Sequence, residues 1–67
     1  MFEHYLHRAE MERMEAHRCM NYAIMDRRDG RVFSATLHMN YARKSLRRAI
    51  EFIQSAKRVK RLSRVAV

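Results

Sequence analysis

Residues 23–35 read Ala23-Ile24-Met25-Asp26-Arg27-Arg28-Asp29-Gly30-Arg31-Val32-Phe33-Ser34-Ala35, and they hold the only glycine of a 67-residue chain that has no proline. Alanine stands at both ends of this stretch, equally far from Asp29. Moving outward, Ala16 and Ala42, then Ala9 and Ala49, then Phe2 and Ala56 are also centred on residue 29. Within each arm the alanines recur every seven residues, which returns to nearly the same face of a helix because two turns take about 7.2 residues. Folding the chain back at Asp29–Gly30 sets the two rows against each other. Small residues let helix backbones approach, and larger neighbours fill the sides. Met39, Leu46 and Ile53 run beside the second row, with Phe52 and Val59 on its other shoulder. Phe2, Tyr5, Leu6, Cys19, Met20 and Ile24 flank the first.

The local signals agree with that turn. Gly30 suits the left-handed position that ends a helix. Arg27 and Arg28 place cations where the helix dipole favours them. Ser34 reads as the N-cap of a second helix, without the glutamate of a full capping box. A β-hairpin on Asp-Gly is rejected, because Arg27-Arg28 and Arg31-Val32-Phe33 do not alternate. The expected fold is all-α: a single domain over residues 1–67, with helix 1 over 2–28, a turn over 29–33 and helix 2 over 34–64. Abundant Ala, Met, Leu, Arg and Glu support it, since these residues lose little rotamer freedom in a helix.

A hairpin this small encloses a thin core and needs a staple. Cys19 is the only cysteine, so a disulfide within the chain is excluded. Met11, Met14, Tyr22 and Met25 lie on helix 1 away from its alanine row, as a face for a second copy or for a foreign partner. A homodimeric four-helix bundle is therefore expected. Helix 2 outlasts helix 1, and the basic segment Lys57 to Val67, with Val59, Leu62 and Ala66 on one side, is expected to lack a partner within the chain.

Charge is unevenly placed. Five basic residues meet five acids up to Arg28, whereas nine basic residues between Arg43 and Arg64 face Glu51 alone, so the formal charge of +8 sits in the C-terminal third. Those nine are Arg43, Lys44, Arg47, Arg48, Lys57, Arg58, Lys60, Arg61 and Arg64. A charge run is usually a solvated face. An imbalance this large, with its self-repulsion on one helix, points instead to an acidic partner.

Chemistry has little to stand on. His4, His7, His17, His38 and Cys19 do not form the tight converging pairs that zinc requires, so no metal or cofactor is expected. Glu10, Glu12 and Glu15 fan around helix 1 beside arginines. Cys19 lacks a histidine base at hairpin register and reads as a small packing residue. There is no glycine-rich phosphate loop, and a thin hairpin lacks an enzyme's concavity. The expectation is a non-enzyme. A lone thiol and an N-terminus with charge in every turn are read as cytoplasmic.

Nucleic acid is one partner for the basic face. Against base reading, Asn40, Gln54, Ser45, Ser55 and Ser63 are scattered, and Tyr41 and Phe52 are expected to fall toward the seam. An adaptable methionine face with arginines favours a protein partner. A membrane surface ranks third, because the apolar side of the basic tail is thin. In size, build and absence of a catalytic site, the chain resembles small helical-hairpin proteins that bacteriophages make early in infection to bind and disable host factors. That resemblance implies a protein target such as a transcription regulator, which the chain would inhibit or modulate. It carries over no site residue. Direct, largely sequence-independent DNA or RNA binding by the basic face is the alternative.

Overall fold

The computed structural model describes the backbone of residues 2–65 and the side chains of residues 2–62. Two α-helices, α1 (Phe2–Arg28) and α2 (Val32–Val65), pack antiparallel into a rod whose Cα extents are 57 × 13 × 10 Å. Arg64, Ala66 and Val67, which the sequence placed in the basic tail, lie outside the residues whose side chains are described.

The reversal is a closed hydrogen-bonded unit. The Arg31 amide donates to the Asp26 carbonyl at 2.7 Å and the Gly30 amide to the Arg27 carbonyl at 3.2 Å. This pair of bonds is the Schellman ending, which requires a left-handed residue between the helix and the outgoing chain. Gly30 supplies it with φ at 75°. The turn is therefore shorter than the 29–33 expected, and α2 begins at Val32. Its first bond runs from the Ala35 amide to the Arg31 carbonyl at 2.9 Å. Ser34 is consequently not the N-cap but a residue of the first turn. Its hydroxyl instead donates to Asp26 Oδ2 at 2.7 Å. The first turn of α2 carries no acid of its own, so Asp26 brings a carboxylate to that helix end from across the turn, where the dipole favours it.

Both alanine rows are buried: Ala9, Ala16 and Ala23 on α1, and Ala35, Ala42, Ala49 and Ala56 on α2. Ala16 and Ala42, at 0 and 1 % exposure, share one buried cluster with Cys19, and Met20 packs on its side. Among the described residues no large side chain is fully buried. Every fully enclosed group is alanine, Cys19 or Ser45.

Beside the alanine row a second seven-residue row closes one edge of the hairpin: Tyr5, Glu12, Cys19 and Asp26 on α1, with His38, Ser45, Phe52 and Val59 on α2. All are buried or half-buried. The other edge stays open, with Leu6, Ile24, Leu46 and Ile53 each well exposed and Met20 and Met39 half-buried. Three expectations change here. Tyr41 is 52 % exposed rather than in the seam, because it precedes Ala42 and so points about 100° round the helix from it. Ser45 is one of the most enclosed residues rather than a scattered surface polar group. The segment after Ala56 is not free of α1, since the Lys60 ammonium lies 5.7 Å from the Phe2 ring centre. Lys60 follows Ala56 by one turn, and its stem reaches back over the end of α1.

Candidate binding faces

The closed edge is made of polar and aromatic clasps, each joining the helices. At the turn, His38 Nδ1 lies 2.7 Å from Asp26 Oδ2. An ionised carboxylate only accepts, so that nitrogen carries the proton. Tyr22 stands over the His38 ring at 5.4 Å between centres. The Ser34 hydroxyl and then the His38 ring, by bonding the charged form, hold Asp26 below the ordinary carboxylate range. Midway along, Arg48 Nε forms an ion pair with Glu12 Oε2 at 3.1 Å while its Nη2 donates to the buried Ser45 hydroxyl at 3.1 Å. Toward the open end, the Tyr5 and Phe52 rings pack at 6.4 Å, and the Arg8 guanidinium lies 5.4 Å from the Phe52 ring centre. Among the described residues no enclosed side-chain polar atom lacks a partner.

This edge accounts for several residues that the sequence marked as chemically suggestive. Cys19 is buried, and burial followed by the nearby Glu15 charge pushes its thiol pKa up, away from the reactive thiolate. Glu10 and Glu15 pair with Arg13 and Arg18 on the surface of α1. No three of the described His, Cys, Asp and Glu residues converge on a common point.

The basic candidates divide. Arg48 is engaged by Glu12 and Ser45, and Lys60 by Phe2. Arg43, Lys44, Arg47, Lys57, Arg58 and Arg61 are exposed, and among the described residues none makes an ion pair. On the outward side of α2 these cations continue an apolar and aromatic row. Phe33 (79 % exposed), Leu37 and Tyr41 follow one another at four-residue spacing, and Lys44 comes one turn later. The sequence reading missed this row. Its signal was the i, i+4 spacing of Phe33, Leu37 and Tyr41 on the side opposite the alanines.

The methionine face of α1 is less coherent than its spacing suggested. Met11, Met14, Tyr22 and Met25 are all about half exposed. Arg18, four residues from both Met14 and Tyr22, interrupts the row and is paired with Glu15 at 3.5 Å. Tyr22 also leans to the His38 clasp. The structure thus leaves two patches rather than one stripe.

Two adjoining grooves, apolar at the floor and lined also by Arg13, Arg18 and Asn21, run along the open edge. A groove of about 470 Å³ is lined by Met20, Ala23, Ile24, Arg27, Arg28 and Met39. The next, of about 720 Å³, shares Met20 and reaches Met14, His17 and Leu46. No helix among the described residues is long and apolar enough to cross a membrane. Compared with protein-family models, curated proteins and solved structures, the chain matches none.

Proposed function

We propose that this chain is a non-catalytic binding protein that docks the outward face of α2 on an acidic protein surface and inhibits or modulates the partner. The observation that supports this reading is the composition of that face. Of six exposed cations without acidic partners, Lys44 and Arg47 adjoin the Phe33, Leu37 and Tyr41 row and Lys57, Arg58 and Arg61 follow farther along the helix, so α2 offers both apolar contact area and charge. Aromatic and arginine side chains are the groups that most often dominate protein interfaces. A partner matching this face presents carboxylates beside an apolar patch.

Direct nucleic-acid binding is the second reading, and one observation favours it. Tyr41 is exposed next to Lys44, which puts a stacking ring beside a phosphate-binding cation.

One pair of measurements separates the two. Tagged protein is used to capture partners from a nuclease-treated bacterial lysate, in parallel with a triple variant, Lys44→Glu, Arg47→Glu and Arg58→Glu. Anisotropy titrations with single- and double-stranded oligonucleotides are run on the same two proteins. The protein reading expects a partner retained by the native chain, lost with the variant, and no tight oligonucleotide binding at physiological salt. Tight oligonucleotide binding that falls steeply with added salt, and vanishes in the variant, overturns it in favour of the second.

A further inference from the structure

The open edge of the hairpin has the makings of half a core. Leu6, Met20, Ile24, Met39, Leu46 and Ile53 form a strip along the side of the seam that no clasp covers. On α2 its members recur at seven-residue spacing, Met39, Leu46 and Ile53, in phase with the buried alanine row. Arg13 interrupts the strip on α1, but two hydrogen bonds to Glu10, at 2.7 and 3.1 Å, turn its guanidinium to the rim.

We infer that a second copy of this chain covers that strip, giving a four-helix bundle in which α1 of each protomer lies over α2 of the other. Three observations choose this occupant and this arrangement.

The first is what the lone hairpin encloses. A buried alanine methyl contributes about 0.8 kcal/mol, against about 1.5–3 kcal/mol for a buried leucine or isoleucine, and the fully buried residues are all of the smaller kind. Leu6, Ile24, Leu46 and Ile53, left exposed by the hairpin, therefore gain further burial only from outside it.

The second is area. Six large side chains, each well exposed or half-buried, line the strip along both helices. A stable dimer takes about 800 Å² per partner. The strip draws on both helices, Leu6 to Ile24 on α1 and Met39 to Ile53 on α2, whereas Met11, Met14, Tyr22 and Met25 lie on α1 alone.

The third is charge. The rim of the strip carries Glu3 and Glu10 on α1, and Arg43, Arg47 and Arg61 on α2. Laying α2 on its own copy would bring Arg43, Arg47 and Arg61 of one protomer against the same cations of the other. Laying α1, whose acids and cations balance, on α2 avoids that repulsion and brings Glu3 and Glu10 toward the α2 cations, twice, under one two-fold axis parallel to the helices.

This arrangement leaves Phe33, Leu37, Tyr41, Lys44 and Arg58 uncovered, with Arg43, Arg47 and Arg61 at its rim. It stands whether the outward face of α2 meets protein or nucleic acid.

Sedimentation equilibrium with Leu46→Glu, Ile53→Glu and Met25→Glu tests the proposal. The native chain and Met25→Glu are expected at twice the 8.1 kDa chain mass, and the two open-edge variants at the chain mass or with dissociation constants raised at least about a hundredfold, a change of roughly 2.7 kcal/mol. A native chain that stays monomeric at about 100 μM, far above the roughly micromolar range of a modest specific complex, overturns it. So does dissociation by Met25→Glu with Leu46→Glu still dimeric. Should the open-edge variants lose their helical circular dichroism, a cross-linking measurement decides. Two single-thiol chains, Glu10→Cys and Arg47→Cys, each also carrying Cys19→Ser, are mixed and treated with a short bifunctional maleimide. A dominant 10-to-47 product is expected, and cross-links confined to 47-to-47 would overturn the arrangement.

Discussion

Asp26 joins three features that are usually separate: the end of one helix, the start of the next and the edge of the seam. Its carboxylate accepts from Ser34 and His38, and Arg31 adds a favourable charge. Its pKa in the folded chain is therefore lower than in the unfolded chain. A depressed carboxylate stabilises the fold above its unfolded pKa of about 3.9, and that stabilisation is lost as pH falls below this value toward the lower folded one. The melting temperature is expected to drop on acidification below about pH 4, and Asp26→Asn should lower it at neutral pH while flattening this acid limb. Thermal melts of both proteins from pH 7 to pH 2 check it. An unchanged acid limb in the variant would show that other carboxylates set it. Gly30 makes a second residue-scale case. A Cβ there would meet nothing within 4 Å, so the cost of Gly30→Ala is backbone strain at φ of 75° rather than a clash. That cost is about 1–2 kcal/mol, and Gly30→Asn should cost less, because asparagine tolerates this conformation. Chemical denaturation of the two variants gives the ranking directly.

At the scale of the helices, packing depends on keeping the alanine rows small. Ala16 and Ala42 are the most enclosed pair, and a leucine at either position has no void to enter. Ala16→Leu or Ala42→Leu is expected to destabilise by about 1–3 kcal/mol, measured by urea unfolding. The same change at exposed Asn40, on the outward side of α2, should be near neutral. A neutral result at Ala16 would mean that the backbones separate without cost. These rows were legible in the sequence because a seven-residue repeat of a small residue maps directly onto one helix face, and the lone glycine independently marked its centre. The clasp row was written at the same spacing, three residues away, but in mixed chemistry. Tyr5, Glu12, Cys19 and Asp26 share no property that a hydrophobicity pattern detects, and neither do His38, Ser45, Phe52 and Val59. Their common feature is pairing across the seam, which emerges only once both helices are present. For the same reason Arg48 counted as a binding cation in the sequence. Its tie to Glu12 requires knowing which residue of α1 lies beside it.

For the molecule as a whole, the dominant electrostatic fact is repulsion along α2. Six of its exposed cations have no acidic partner among the described residues, while the helices are clasped by the Glu12–Arg48 ion pair and the Asp26–His38 contact. Salt acts on these two sets in opposite directions. Screening weakens the exposed part of the two clasps, which contributes modestly in water, and it relieves every like-charge contact within a Debye length of about 10 Å at 0.1 M salt. Arg43, Lys44 and Arg47 fall within a single turn of one another, as do Lys57, Arg58 and Arg61, so the relieved contacts outnumber the weakened ones. The melting temperature is therefore expected to rise as sodium chloride increases from about 10 mM to about 300 mM, a range over which the Debye length falls from about 30 Å to well below 10 Å. Replacing Lys44 and Arg58 with glutamine should raise the low-salt melting temperature and shrink the salt response, because it removes repulsion without adding a new ion pair. Differential scanning calorimetry of the two proteins across that range is the measurement. A melting temperature that falls with salt would assign the larger share of the electrostatic balance to the clasps, and α2 would then carry its charge at little cost to the fold.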